Sequence, residues 1–380
     1  MGFLTWLRYA CAVDCAKYPD DCLSDDLIRR TVDALASRGF QQAGYQYIII
    51  DDCWPLKKRD PATLDLVPDS IRFPHGMKAL GDYVRSKGFK FGIYLDYGTL
   101  TCGTYPGSIF FMEKDLKLLL TWGVEYIKMD GCYASQNQYE EGYEVFSQFM
   151  NTTGSTIAFS CSYPAYYDWE KKYDVFDWSR LQKNCNLWRM YTDIVSSWQS
   201  VLSIINLYKK HGTQMKKYAA PGSWNDPDMI VIGNGGLSPE QERVQFGMWA
   251  ILAAPLMLST NVSTLTEDQV TLLQNKVILS INQDSLGVQG EMVKDSGAVT
   301  AWTRQLSGGK YAIAFISDNT LGPALYYSIS LSEMGIPAQV GGKPYTLIDV
   351  FKQQFVQYAK VTDTLQMHVP NTGILMFLLQ

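Results

Sequence analysis

FGIYLDYGTLTCGTYPGSIFFMEKDLKLLLTWGVEYIKMD, residues 91–130, holds one complete β–α–β unit. Residues 91–95 form an apolar run of strand type that ends in Asp96. Residues of about 112–122 carry helical spacing and stop at Gly123. Residues 124–129 form a second apolar run, closed by Asp130. A nearly continuous apolar strand, then a helix, then another such strand is the pattern of a parallel sheet covered by helices.

The unit repeats in both directions. Upstream, Ser24 can cap a helix over 24–39, with Asp25 and Asp26 in its first turn and Ile28, Val32 and Leu35 as its apolar stripe. The run 45–50 follows and ends in Asp51-Asp52; a helix over about 76–87 stops at Gly88. Downstream, a helix near 139–150 precedes 157–161 and Ser162, and 186–192 runs into Asp193. A long amphipathic helix to about 210 then leads to 218–220 and Trp224-Asn-Asp-Pro-Asp228. The strand ends are spaced by 44 residues from 52 to 96, then by 34 to 130, 32 to 162, 31 to 193 and 35 to 228. Each gap fits one helix and one strand. Adding an early strand at about 6–13 and a late one near 256–259 makes eight, which favours a closed (β/α)8 TIM barrel over 1–290. No G-x-G-x-x-G turn follows the early strands, which counts against a dinucleotide fold. From 291 to 380 the pattern changes to short β-rich runs at 299–303, 311–317, 325–330, 345–350 and 374–379. These read as a C-terminal antiparallel β-sandwich.

The chain has 380 residues, 47% hydrophobic and 19% charged, enough to build a sizeable core. A net charge of −5 argues against nucleic acid or a polybasic membrane surface. The longest apolar stretch, 249–258, contains Pro255 and is too short to span a bilayer. With only three histidines, a His-based triad or multi-His metal site has almost nothing to draw on. The eight cysteines all lie in the first half and could pair in about 105 ways. The sequons at Asn151 and Asn261 point to a secretory route, lysosomal or extracellular. The N-terminal MGFLTWLRYAC lacks a charged segment before an apolar core, so the chain is expected to be a mature form.

Polar residues gather at the strand ends: Asp51, Asp52, Asp96, Lys128, Asp130, Arg189, Asp193, Asp226 and Asp228. In a barrel these ends converge on one mouth, where active sites are built. A hard metal is one use for so many carboxylates. Lys128 and Arg189 would compete with a cation, so no metal or cofactor is expected. The other use is glycoside hydrolysis, in which two carboxyl groups flank the scissile bond. The 24 tyrosines and 10 tryptophans could supply stacking faces for a sugar.

The ordered blocks MGFLTW, IDDCW, RFPHGMKALGDYVRSKGFKFGIYLDYG, YIKMDGC, SCSYPAY, CNLWR, PGSWNDPDM and INQDSLGVQG carry a resemblance. The chain resembles the glycoside hydrolase family of eukaryotic α-galactosidases and α-N-acetylgalactosaminidases. The resemblance implies a nucleophile at Asp130 and a general acid/base at Asp193. It implies Asp51 and Asp52 at the sugar's 4- and 6-hydroxyls and Lys128 at its 3- and 4-hydroxyls. Trp6 and Tyr94 become wall residues, Arg189 and Tyr166 contacts near the 2-substituent, and Asp228 and Met229 rim residues. It further implies disulfides Cys11–Cys53, Cys15–Cys22, Cys102–Cys132 and Cys161–Cys185. The family retains configuration, so the two catalytic carboxyls are expected about 5–5.5 Å apart. Homodimers are common in the family.

The blander uses of these residues are a strand-end turn at Asp130, a helix N-cap at Asp193 and a turn at Asp226. Asp96 and His75 read as structural, and Trp54 and Trp224 as core. Within the resemblance, specificity turns on the sugar's C2: galactosidases carry Glu and Leu in the loop after strand five, and N-acetylgalactosaminidases carry Ser and Ala. This chain has Ser162 and Ala165. The expected activity is removal of terminal α-linked N-acetylgalactosamine (GalNAc), with weaker action on α-galactose. The alternatives are an α-galactosidase tolerant at C2 and a catalytically silent carbohydrate-binding barrel. Leu7, Cys11-Ala-Val-Asp14 and Tyr163 depart from the usual family residues beside the motif positions.

Overall fold

The computed structural model describes residues 1–167 and 176–380. Along the chain, eight strands alternating with helices in the TIM-barrel manner precede an antiparallel β-sandwich. The described residues form two compact units: Met1–Asp193 with Leu256–Leu265, and Ile194–Pro255 with Thr266–Gln380.

In the first unit, strands β1 (Gly2–Leu4), β2 (Tyr47–Ile50), β3 (Lys90–Asp96), β4 (Tyr126–Asp130), β5 (Ala158–Cys161) and β6 (Leu187–Arg189) lie side by side in chain order. Strand β8 (Met257–Leu258) pairs with the free side of β1. These strands pair in parallel, and the β3–β4 register sets Asp96 beside Asp130. Ile48, Ile49, Ile50, Phe91, Ile93 and Ile127 are fully buried, as two-sided burial of a parallel sheet requires. Gly2 lets β1 close on β2, since a Cβ there would lie 2.6 Å from the Tyr47 carbonyl oxygen.

The helices of this unit are α1 (Trp6–Tyr9), α2 (Asp25–Ser37), α3 (Gly76–Ser86), α4 (Met112–Thr121), α5 (Tyr139–Thr152) and α6 (Trp178–Asn184). The Ser24 hydroxyl accepts from Leu27 N at 3.2 Å and caps α2, whose Leu27, Ile28, Val32 and Leu35 face inward. His75 precedes α3, 3.5 Å from the Asp25 carboxylate. The early strand differs from expectation. It is Phe3 and Leu4 that enter the sheet, and Trp6–Tyr9 forms a helical turn. The reason lies in the spacing: Trp6 and Tyr9 stand three residues apart, the separation of neighbours on one helical face.

The loop ahead of α4 is fixed by a buried ion pair. Arg59 Nη1 and Nη2 donate to both Asp115 oxygens at 2.7 and 2.6 Å, and Nη2 also reaches the Gly107 carbonyl at 2.9 Å. Replacing Arg59 by Met should destabilise the protein by about 3 kcal/mol, because an uncompensated carboxylate stays buried. The urea midpoint reads this; an unchanged midpoint would show that the pair is dispensable.

The second unit holds α7 (Trp198–Lys216), β7 (Trp224–Asp226), α8 (Pro239–Ile251), α9 (Glu267–Leu273), α10 (Lys276–Asn282) and the sandwich. Two expectations are corrected here. Residues 218–220 are not the strand: Ala220 and Ser223 exchange backbone bonds across a Pro221-Gly222 turn, and the strand begins at Trp224. The N-cap of α7 is Ser197, which accepts from Ser200 N at 3.2 Å, so Asp193 does not cap a helix. The sandwich contains a six-stranded sheet ordered β14 (Gln354–Ala359), β13 (Tyr345–Asp349), β16 (Ile374–Leu379), β11 (Tyr311–Ile316), β10 (Thr300–Gln305) and β9 (Glu291–Asp295). A two-stranded ribbon of β12 (Leu325–Ser330) and β15 (Thr364–Val369) completes it. Ile313, Phe315, Leu347, Leu365, Val369 and Leu379 are central to its core. Strands β9, β14 and β15 were not evident from the sequence, because polar residues make up half or more of β9 and β15 and β14 is exposed along most of its length.

The cysteines pair as Cys11–Cys53, Cys15–Cys22, Cys102–Cys132 and Cys161–Cys185. No described helix is long and apolar enough to cross a membrane.

Candidate active site

A cavity of about 340 Å³ opens at the strand ends of the first unit. That volume sits at the small end of the ~300–1,000 Å³ usual for small-molecule sites. Its floor and wall include Asp51, Tyr94, Asp130 and the Cys102–Cys132 disulfide. Its sides include Trp6, Ser162, Ala165, Tyr166, Arg189 and Asp193.

Asp130 ends β4. Its Oδ1 accepts from the Tyr166 hydroxyl at 2.5 Å and from Gly131 N at 3.0 Å, and its Oδ2 from the Tyr94 hydroxyl at 3.2 Å. The backbone behind it is also tied. Tyr143 Oη donates to the Asp130 and Met129 carbonyls at 2.7 and 3.0 Å, and Tyr139 Oη to the Gly131 carbonyl at 2.6 Å. Burial first, then the Asp130 charge, hold the Tyr94 and Tyr166 phenols well above their ordinary range, so both stay donors. This is more than a strand-end turn needs: three donors converge on one carboxylate that faces an open space.

Asp193 lies beyond β6, and its side chain is 56% exposed. Its Oδ2 accepts from Trp6 Nε1 at 3.0 Å and its Oδ1 from Arg189 Nη2 at 3.0 Å. Burial pushes this carboxyl up, but the charges of Arg189 and Lys128 and the two hydrogen bonds prevail and hold it below the usual range.

Asp51 directly follows β2, with its N–H donated to Thr5 Oγ1 at 2.9 Å and its Oδ2 accepting from Lys128 Nζ at 2.6 Å. Burial pushes the Asp51 carboxyl up to about 6, against the pull of Lys128. Burial works against the Lys128 ammonium too, yet Asp51, Asp130 and Asp193 together hold it above its ordinary value. Lys128 and Asp52 stand behind the cavity rather than on its wall. Asp52 is fully buried and accepts from Cys53 N at 2.6 Å and Gly103 N at 2.7 Å.

Ser162 precedes, and Ala165 lies within, a 3-10 turn, Tyr163–Tyr166, that follows β5. Ser162 N donates to the Met129 carbonyl and Ala165 N to the Ser162 carbonyl, both at 3.0 Å, so β4 and β5 fix this turn. The Ser162 hydroxyl is buried yet has no hydrogen-bond partner among the described residues. A buried hydroxyl left so costs roughly 1–3 kcal/mol, which a ligand group could recover.

Asp228 and Met229 are not among the cavity's lining residues. In the second unit, Asp228 Oδ2 accepts from Ile194 N at 2.8 Å, and the Met229 side chain is buried. Asp226 accepts from Asp228 N at 2.8 Å, in keeping with a turn residue. Trp54 is buried and donates to the Tyr94 carbonyl at 3.0 Å. The sequence reading did not single out Tyr191, Thr192, Cys102 or Cys132 as cavity residues. The first two lie between Arg189 and Asp193, and Cys132 lies two residues after Asp130, so proximity to the motifs was the available signal. The grouping with the nearest metal-ligand geometry is Asp96, Cys102 and Cys132. Both its sulfurs are tied in a disulfide, which leaves one carboxylate and no thiolate to bind an ion.

Residues 1–284 match the family described as Alpha galactosidase A, and residues 287–373 its C-terminal β-sandwich domain. The chain is 41% identical to the α-N-acetylgalactosaminidase of Gallus gallus over 381 residues, covering 100% of this chain and 92% of that one. It is 40% identical to the α-galactosidase A of Homo sapiens over 337 residues, covering 88% and 77%. α-Galactosidase I of Mortierella vinacea superimposes with a TM-score of 0.87 at 25% identity, covering 100% of this chain and 96% of that one. Overall identity barely separates the two named activities, so the side chains around the cavity must do so. The chain belongs to the alpha galactosidase A family of glycoside hydrolases, with that family's barrel and β-sandwich.

Proposed function

We propose that this chain is a retaining exo-glycosidase that removes terminal α-linked GalNAc, and that it acts more weakly on α-galactose. The observation that carries the specificity is the pair Ser162 and Ala165 on the cavity wall. Ala165 leaves room for an acetamido methyl, and the partnerless Ser162 hydroxyl can bond the amide. A cavity of about 340 Å³ suits one terminal sugar.

Asp130 attacks C1 while Asp193 gives a proton to the leaving oxygen. Water then cleaves the glycosyl ester, with Asp193 as base. In this reading Asp51 bonds the sugar's hydroxyls with Lys128 behind it as its partner, and Trp6 and Tyr94 support the apolar face. Asp52 acts through the backbone of Cys53 and Gly103. The resemblance's rim role for Asp228 and Met229 stays with the WNDPDM segment as a proposal.

The pH dependence follows from Asp193. Its free-enzyme pKa is lowered, so above that value it is an anion with no proton to give. kcat/KM on a substrate that needs acid assistance should therefore be highest at acidic pH and fall as pH rises. Replacing Trp6 by Phe removes one donor to the anion, raises this pKa and moves the alkaline limb upward. A pH profile of kcat/KM for both proteins checks this; an unmoved or lowered limb would count against Asp193 as the acid.

The disulfides suit an oxidising compartment, and we place the protein in the lysosome or outside the cell. Asn151, exposed near the end of α5, and Asn261 are the proposed N-glycan carriers. The deciding experiment is the paired rate on aryl α-GalNAc and aryl α-galactose. A preference for galactose overturns the specificity, and GalNAc binding without turnover revives the silent carbohydrate-binding alternative.

A further inference from the structure

We infer that Asp96 is a positioning residue for Asp130: it holds a proton, and so lets the Tyr94 hydroxyl they share donate to the nucleophile. The inference rests on the reading of Asp130 as nucleophile.

The β3–β4 register places Asp96 directly beside Asp130. Asp96 is fully buried, and its Oδ1 accepts from Gly98 N at 2.7 Å. Its Oδ2 accepts from Cys132 N, two residues past Asp130, at 3.1 Å. The Tyr94 hydroxyl lies 3.1 Å from Asp96 Oδ2 and 3.2 Å from Asp130 Oδ2. A phenol has one proton and cannot donate to two carboxylates at once. If both acids were ionised, one would face the phenol's lone pairs and a like charge across the strand pair. A proton on Asp96 resolves this. Asp96 O–H donates to Tyr94 Oη, Tyr94 O–H donates to Asp130 Oδ2, and no proton need move during attack.

The other groups around Asp96 do not offer a better arrangement. Cys102 Sγ is 3.7 Å from Asp96 and 3.6 Å from Asp130, but a disulfide sulfur carries no proton. The phenols of Tyr139, Tyr143 and Tyr166 face the same cluster and are all pushed upward, burial first, so they stay neutral. Asp130 is the charged neighbour. Burial, then the Asp130 charge, push the Asp96 carboxyl up to about 8. A structural strand-end carboxylate needs only its two backbone bonds; the shared phenol is the additional feature.

The test uses the full chain and 5-fluoro-α-N-acetylgalactosaminyl fluoride, whose leaving group needs little help from Asp193. Labelling of the wild type should fall by about tenfold per pH unit above its break, the slope of one ionisation, with the break near the Asp96 value of about 8. In Asp96→Asn, a carboxamide N–H replaces the acid O–H and cannot ionise, so the decline should vanish. A parallel decline in both proteins overturns the inference. Should the variant not fold, infrared difference spectra of the wild type decide: a carboxylic-acid band present at neutral pH and lost by alkaline pH supports it, and no such band overturns it. An adduct on the Asp130 peptide confirms the underlying reading separately. An adduct elsewhere sinks that reading, and this inference with it.

Discussion

Replacing Asp130 by Ala should lower kcat on aryl α-GalNAc by about 10⁴-fold or more, the usual scale for loss of a covalent nucleophile. The fold should survive, because Asp130 ends its strand at the cavity and the backbone ties from Tyr143 and Tyr139 remain. The informative part is rescue. The Tyr166 and Tyr94 hydroxyls and Gly131 N, which now converge on the carboxylate, would be left aimed at the space it vacates. Azide is a small anion suited to three such donors. Added azide should restore turnover by attacking C1 from the face Asp130 used, with the leaving oxygen still protonated by Asp193. The product is then the β-configured glycosyl azide. Detection of the α-azide, or a rate that barely falls, would show that Asp130 does not attack the sugar.

The double change Ser162→Glu with Ala165→Leu should lower kcat/KM on α-GalNAc by about 10²-fold or more, and raise the relative rate on α-galactose. Leu at 165 fills the space for the acetamido methyl, and overpacking of this kind costs roughly 1–3 kcal/mol. Glu at 162 removes a donor to the amide carbonyl and offers an acceptor to a 2-hydroxyl; each net hydrogen bond is worth about 1 kcal/mol. Both positions lie on the 3-10 turn, whose backbone bonds to the Met129 and Ser162 carbonyls the substitutions leave intact. Paired-substrate kinetics on the variant measures the effect. An unchanged preference for GalNAc would mean that the C2 substituent does not lodge against this turn.

Much of this was legible in the sequence. Four-residue runs such as Tyr47–Ile50 can be nothing but buried strand once helices flank them, so the βα alternation and the strand-end carboxylates followed from local chemistry. The chemistry-bearing positions Asp130, Asp193, Ser162 and Ala165 were named from their motifs, and the cavity brings them together. The first strand was misplaced, because Trp6–Tyr9 has both strand-like composition and helical spacing, and a three-residue strand leaves little pattern. Edge strand β14 was missed for a related reason: with most of its side chains exposed, it has no buried face to imprint an alternation.

Residue types and their spacing determined the βα order and the sandwich, since both follow from local propensity; the reading of Ser162 and Ala165 came from the family resemblance. Only the tertiary structure decided which donors meet which carboxylate. That Asp193 meets Arg189 and Trp6, that Asp52 turns to the backbone, and that Asp96 shares a phenol with Asp130 depend on parallel register and burial. Those quantities join residues far apart in the chain, and the protonation of each acid follows from the neighbours so assembled.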